Sequence, residues 1–321
     1  MLLTLCVSVA AAQSEAQDGE PVTQDGAATT RTDKAHRYFE QKVNATAQWF
    51  DSFFDDPNYL AEDASTRLRL RPEVFFQKKK NAKVRVKVAA KVNLPRLSKK
   101  LSLVIGGDDG TGDFDNSLDD TVDEPSIGLQ FFGKQTQTWN ISMTAGAKLN
   151  GVALFAGPRI RYLQPLGERS LLRFVQSFRW FTDNGWDTRT RIDFDHVFKG
   201  GLFLRQTFDG RRRADRYDEE GFRTRVSTSL THRPKQDIGV QYEWFTIFNT
   251  KPDSRAVSTT FAVRFRKRTK REWLFYEIVP QLAIEEEFDW DLNPGIRLRF
   301  EIIFGEENRR RRELRNDNFY W

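Results

Sequence analysis

The sequence predicts an all-β fold: a transmembrane antiparallel β-barrel of about fourteen strands (about twelve or sixteen being the alternatives), preceded by a short amphipathic helix. Three observations predict it. Apolar and polar residues alternate with period two from about residue 66 to residue 305. Most alternating runs are roughly nine to thirteen residues long, near the length of a tilted membrane-crossing strand and well above that of an ordinary globular strand. The connections between runs alternate between a short set and a longer set.

The segments before the barrel come first. "MLLTLCVSVAAAQ" has an apolar core and then Ala10-Ala11-Ala12, an A-x-A-type site before Gln13, so residues 1–12 read as a secretory signal peptide. No Lys or Arg precedes the core, which allows the start to lie upstream. Cys6 is the chain's only cysteine. Leu5 stands before it where a lipoprotein cysteine needs a small residue. Cleavage after Ala12 leaves no cysteine, which excludes a zinc-thiolate site and a cysteine nucleophile. Residues 13–33 are polar, have no aromatic residue and read as a disordered linker. Residues 34–56 bring Phe39, Val43, Phe50 and Phe54 to helical spacing, with Trp49 and Phe53 beside them. An amphipathic periplasmic helix is expected there. It either packs on the rest of the chain, lies on a membrane surface or plugs a pore.

The strands follow. "TRLRLRPEVFF" (66–76) sets Leu68, Leu70, Val74 and Phe76 against Arg67, Arg69, Arg71 and Glu73. "AKVRVKVAAKVNL" (82–94) sets valines against Arg85, Lys87 and Lys91. Further runs are read at 100–106, 125–132, 138–149, 152–163, 171–181, 186–198, 201–209, 222–232, 238–248, 256–266 and 273–285. "IRLRFEIIF" (296–304) is the last. Short connections fall at 95–100, 133–137, 165–170, 199–201, 233–237 and 267–271. Longer ones fall at 106–126, 209–221, 249–255 and 289–295. "KKKN" (78–81) and "LNG" (149–151) are short members of the longer set. Placing the short set in the periplasm sends the first strand outward and returns the last strand to the periplasmic side.

Signal peptide, periplasmic segment and amphipathic strands together resemble Gram-negative outer-membrane β-barrel proteins, over roughly residues 1–12 and 66–305. The resemblance implies a porin-like architecture in the cell outer membrane, set in outer-membrane lipid and lipopolysaccharide. It also implies handling by the barrel-assembly machinery, through a signal in the last strand of alternate apolar residues ending in an aromatic. Ile296, Leu298, Phe300, Ile302 and Phe304 fit that pattern. The chain continues past it, so residues 306–321 are expected to form a periplasmic tail, with Arg309 to Arg312 near anionic lipid or a partner.

The two faces carry the functional reading. The outward strip includes Trp139, Tyr162, Trp180, Trp186, Tyr242 and Trp244, ring types that favour the bilayer interface. Gln176 and Gln206 share that strip and imply a bulge or a register error. The inward strip carries Arg67, Arg69, Arg71, Arg85, Lys87, Lys91, Lys148, Arg159, Arg161, Arg173, Arg179, Arg189, Arg191, Arg205, Arg223, Arg225, Arg264, Arg266, Arg297 and Arg299. Its acids are Glu73, Asp187, Asp193, Asp195, Asp209, Glu243, Glu277, Glu285 and Glu301. The bases outnumber the acids about two to one, although the whole chain holds 51 basic and 45 acidic residues and a net charge of only +6. A lipid-facing Arg or Lys costs about 2–4 kcal/mol at the midplane, so water or partners must reach these side chains. Either the arginines line a water-filled passage that attracts anions, or they pair with acids and brace the wall.

Other chemistry finds little support. The spread of arginines through strands argues against nucleic-acid binding. Acidic residues crowd 106–126 without EF-hand spacing, which suggests a solvated loop or a divalent-cation bridge to lipopolysaccharide. The histidines are His36, His196 and His232, with no Ser-His signature or metal-ligand motif, so no enzyme, metal or cofactor is expected and an outer-membrane hydrolase is a remote alternative. The expected function is passive passage of small anionic solutes through a basic lumen. A non-conducting structural or adhesive barrel is the alternative.

Overall fold

The computed structural model describes residues 53–54, 66–94, 100–106, 126–136, 138–148, 153–271 and 273–305. The expected signal peptide, the linker, the helix at 34–56 apart from Phe53 and Phe54, most of the acidic loop and the tail at 306–321 lie outside these residues. Fourteen strands form one closed sheet. They are β1 (Arg67–Gln77), β2 (Lys80–Asn93), β3 (Leu101–Ile105), β4 (Ser126–Gln135), β5 (Trp139–Lys148), β6 (Leu154–Pro165) and β7 (Ser170–Phe181). Then come β8 (Gly185–Val197), β9 (Phe203–Arg213), β10 (Phe222–Lys235), β11 (Ile238–Asn249), β12 (Arg255–Arg268), β13 (Leu274–Glu285) and β14 (Leu292–Gly305). Each strand pairs antiparallel with the next. β1 closes on β14 through Leu68 opposite Phe304, Glu73 opposite Arg299 and Phe76 opposite Ile296. Closure leaves no unpaired strand edge, which is why a sheet can stand in hydrocarbon at all.

Exposure alternates as the pleat requires. On β14, Leu298 is 39% and Phe300 54% exposed, while Arg297 just before them is 5% and Glu301 just after them 1%. A soluble sandwich would reverse this, with aliphatic side chains inside and arginines out. The apolar strip therefore faces outward from the barrel, and the charged strip faces its axis.

Two strands outrun their alternation. β9 continues through Arg211 and Arg213, where the sequence predicts a loop from residue 209, and β14 begins at Leu292 rather than Ile296. The reason is physical. Beyond the hydrocarbon both faces of a strand are wet, so the apolar signal fades while hydrogen-bonded pairing persists. Arg211 stays in register with Arg189 on β8 and Arg223 on β10. Gln176 and Gln206 also differ from expectation. Pairing runs unshifted past both, and both face outward. The Gln176 amide donates to Thr188 Oγ1 at 3.1 Å and accepts from Thr190 Oγ1 at 2.6 Å, so its polar atoms are satisfied within the wall.

The two ends of the barrel differ. At one end the chain reverses through short turns such as 166–169, 198–202 and 236–237, and β1 starts and β14 ends there. Five outward ring pairs lie near this end: Trp139–Tyr162, His196–Phe198, His232–Tyr242, Phe265–Tyr276 and Trp273–Phe304, with centroids 4.7–6.4 Å apart. That belt marks a membrane–water boundary. At the other end, Asp289 and Trp290 reverse the chain into β14 with left-handed φ of 54° and 61°. The neighbouring turns are tied together there by Lys79 Nζ, 2.7 Å from Asp291 Oδ2. That hydrogen bond, helped by the lysine charge, holds the Asp291 carboxyl below its ordinary pKa.

Candidate functional site: the charged inner wall

Strand parity delivers the inward side chains, and most are paired. Arg69, Arg71, Arg85, Lys87, Arg159, Arg161, Arg173, Arg179, Arg189, Arg191, Arg223, Arg225, Arg264, Arg266, Arg297 and Arg299 all lie on the axis-facing side of their strands. For Arg67 only the backbone is described, in register with Gly305 and Lys91.

Three sectors of wall can be distinguished. On β7–β9 aspartates dominate. Arg189 grips Asp209 with Nε and Nη2 at 2.8 and 2.6 Å. Arg205 grips Asp195 the same way at 2.6 and 2.8 Å, and Arg211 grips Asp187 at 3.0 and 2.6 Å. Arg191 Nε reaches both oxygens of Asp193, which also accepts from Thr207. The first three are forked pairs, two parallel hydrogen bonds from one guanidinium to one carboxylate, and Arg179 and Arg191 also approach Asp187 and Asp209 at 3.6 and 3.9 Å.

On β12–β14 and β1 glutamates serve several arginines at once. Glu277 lies within ion-pair distance of Arg264 (3.8 Å), Arg266 (3.4 Å), Arg297 (3.9 Å) and Arg299 (3.5 Å). Glu301 accepts from Arg266 and lies 3.3 Å from Arg71 and 4.0 Å from Arg69. Glu73 takes both hydrogen bonds of Arg299, at 2.9 and 2.7 Å. Three carboxylates thus face Arg69, Arg71, Arg264, Arg266, Arg297 and Arg299. Arg297 Nε and Glu277 Oε1 are buried without a hydrogen bond of good geometry.

Between the two, β3–β5 present neutral polar groups: Ser102, Gln130, Asn140, Ser142 and Thr144, all buried. Smaller pairings complete the wall. Arg225 meets Glu243 at 2.7 Å and stacks 4.0 Å from the Phe245 ring. Glu285 meets Lys80 at 3.5 Å.

Two kinds of residue escaped the sequence reading. The sequence pattern places Arg211 and Arg213 in a loop, whereas both lie on β9. Phe75, Phe132, Phe155, Phe181, Phe203, Phe245 and Phe275 share the inward parity with the charges and are buried. Their signal was present, since each interrupts a polar strip. Several carry a cation on their ring face, such as Lys91 on Phe132 at 4.8 Å and Arg179 on Phe181 at 5.2 Å.

On the outer face, Ser170 Oγ lies 2.8 Å from His196 Nδ1, a contact the sequence spacing did not suggest. The other ring nitrogen of His196 has no hydrogen-bond partner among the described residues, so the third, orienting member of a hydrolytic triad is missing from this pair. Among the described residues no group of three or more His, Cys, Asp or Glu is placed to hold a metal ion.

No family model matches the sequence, and no curated protein matches it. Solved structures that resemble it include a KdgM porin in complex with disordered oligogalacturonate, at 8% identity and a TM-score of 0.36 over 74% of this chain and 99% of that one. Outer-membrane expressed OmpT of Vibrio cholerae aligns at 9% identity and a TM-score of 0.47, over 75% of this chain and 98% of that one. OccK5 of Pseudomonas aeruginosa aligns at 9% identity and 0.44, over 75% and 97%. The chain folds as one closed, fourteen-stranded antiparallel β-barrel with an apolar outer face.

Proposed function

We propose that the protein is an outer-membrane channel for passive passage of small anionic solutes, with Arg67, Arg69, Arg71, Arg85, Lys87, Arg159, Arg161, Arg173, Arg179, Arg189, Arg191, Arg223, Arg225, Arg264, Arg266, Arg297 and Arg299 as its lining. One observation carries this reading: on β12–β14 and β1, the six arginines Arg69, Arg71, Arg264, Arg266, Arg297 and Arg299 converge, among the described residues, on the three carboxylates of Glu73, Glu277 and Glu301. A wall built only for strength would balance its charges. A surplus of guanidinium groups beside water lowers the energy of an anion along the axis and raises that of a cation. No chemical step is involved.

The test is single-channel current from the folded, full-length protein in planar bilayers under a salt gradient. A reversal potential showing anion preference supports the reading, and cation preference overturns the anionic part. A second reading, a braced non-conducting barrel, draws on the forked pairs of β8–β9. The absence of current in every variant that keeps the fold would favour it.

The same reading gives Ile296, Leu298, Phe300, Ile302 and Phe304 the role of assembly signal for the barrel-assembly machinery, since all five project outward from β14 beside β1, where the barrel closes. Lipid and lipopolysaccharide surround the apolar face. Replacing Phe304 with Asp is expected to lower the folded fraction recovered from outer membranes, read by heat-modifiable gel mobility, while refolding in detergent is spared.

A further inference from the structure

Phe53 and Phe54 come from a segment that precedes the barrel, yet both rings are buried, each 6% exposed. They pack with Phe203, Phe275 and Ile303, and Val197 lies against the same cluster. Val197 ends β8, Phe203 begins β9, Phe275 is second in β13 and Ile303 is near the end of β14. All four sit at the short-turn end and all face the axis. The two rings therefore stand inside the short-turn mouth of the lumen.

The site fits them in detail. Phe53 meets Phe54 edge-on at 5.2 Å and Phe275 at 6.0 Å. Arg264 Nη1 donates to the Phe54 carbonyl at 3.4 Å, and the Arg266 guanidinium lies 6.0 Å from the Phe53 ring. Gly239, second in β11, supplies room. A Cβ there would fall 2.6 Å from Phe53 and 2.7 Å from Phe54. The receptor is also out of keeping with its strands. Two residues deeper, Phe203, Phe275 and Ile303 give way to Arg205, Glu277 and Glu301. Large apolar groups ringing a wet mouth are unfavourable unless something covers them, and here Phe203, Phe275 and Ile303 are at most 2% exposed.

We infer that the short-turn mouth is a binding site for an aromatic wedge, that Phe53–Phe54 is its resident ligand, and that the wedge stoppers the passage until it leaves. The stoppering rests on the channel reading; the docking does not. Arg264 and Arg266 belong to the arginine-rich wall around Glu277, so an anion drawn to that wall competes for the groups that hold the wedge.

Two readouts separate the docking from the channel reading. In a Cys6→Ser background, Ile303→Cys reports whether the receptor is covered. Its reaction with a water-soluble maleimide in the folded, full-length protein should be slow. It should accelerate at least about tenfold when Phe53→Ala and Phe54→Ala are added, and likewise when Gly239→Val crowds out intact rings. In planar bilayers the same two changes, without the cysteine, should raise open probability by about tenfold or more. Fast labelling of Ile303→Cys with the wedge intact overturns the docking. Slow labelling released by both changes, with equal nonzero current in all proteins, overturns the stopper. Protection and release with no current from any protein overturns the channel reading and the stoppering with it, and leaves the docking standing.

Discussion

The aspartate wall of β7–β9 and the glutamate wall of β12–β14 and β1 use the same chemistry for different ends. In the first, Arg189–Asp209, Arg205–Asp195 and Arg211–Asp187 are forks in which one guanidinium donates two hydrogen bonds to one carboxylate. In the second, Glu277 alone draws Arg264, Arg266, Arg297 and Arg299. Side-chain length explains part of the contrast. Aspartate is short and holds its carboxylate near its own strand, where a cross-strand Arg meets it squarely. The extra methylene of glutamate carries the carboxylate toward the axis, where several arginines converge. A fork neutralises itself, whereas a shared hub leaves net positive charge. Both walls carry more arginines than acids, but the aspartate wall divides its charges into local forks, whereas the glutamate wall gathers its arginines on shared carboxylates.

Removing a hub should therefore do more harm than removing one partner of a fork. Glu277→Gln strips a shared counter-charge from four arginines in one step. Breaking an ordinary buried pair costs about 3–5 kcal/mol, and Glu277→Gln is expected at or above the top of that range. The midpoint of urea unfolding in lipid bilayers or detergent, followed by heat-modifiable mobility, measures it. A cost no larger than that of Asp195→Asn would erase the distinction between the walls.

Selectivity should divide along the same line. Arg297→Glu with Arg299→Glu reverses charge on the hub wall, and Arg189→Glu with Arg191→Glu reverses it on the aspartate wall. Both pairs should move the reversal potential toward cations. The hub pair is expected to move it further, by several-fold in permeability ratio, because its field is less cancelled locally. Equal shifts would mean that the lumen averages its lining and that the wall-by-wall contrast has no electrical consequence.

How much of this was legible in the sequence depends on what water touches. "IRLRFEIIF" shows its two strips at once, because lipid on one side and polar groups on the other impose a strict period of two. The strand number and the inward Arg189 and Arg297 followed from that period. The hub at Glu277 did not. Its partners come from β12 and β14, and only the pairing register of three neighbouring strands sets Arg266 and Arg299 opposite one carboxylate, with Arg264 and Arg297 beside them. Arg211 was hidden because its strand extends where both faces are wet. The inward phenylalanines were visible as misplaced letters, but nothing local shows that Phe203, Phe275 and Ile303 converge, or that Phe53 and Phe54 cover them. The helical spacing over residues 34–56 leaves packing on the chain, a membrane surface and a plug all open, because local periodicity does not show what the apolar stripe meets.

The smallest effect tests the aspartate wall from the other side. If Arg205–Asp195 is a local fork, its value lies in having opposite charges at two facing positions, with little regard to which strand carries which. Asp195→Asn and Arg205→Gln should each destabilise by about 3–5 kcal/mol, since each strands a buried charge. The exchange Asp195→Arg with Arg205→Asp restores opposite charges across the same β8–β9 register, where the two residues stand directly opposed. Much of the loss should return, leaving a deficit of about 1–2 kcal/mol because the longer side chain now starts from the other strand. The reversal potential should hardly move, since the net charge of the lining is unchanged. An exchange that unfolds the barrel as badly as either single change would show that Asp195 serves more arginines than its fork. The aspartate wall would then be a hub like the glutamate wall.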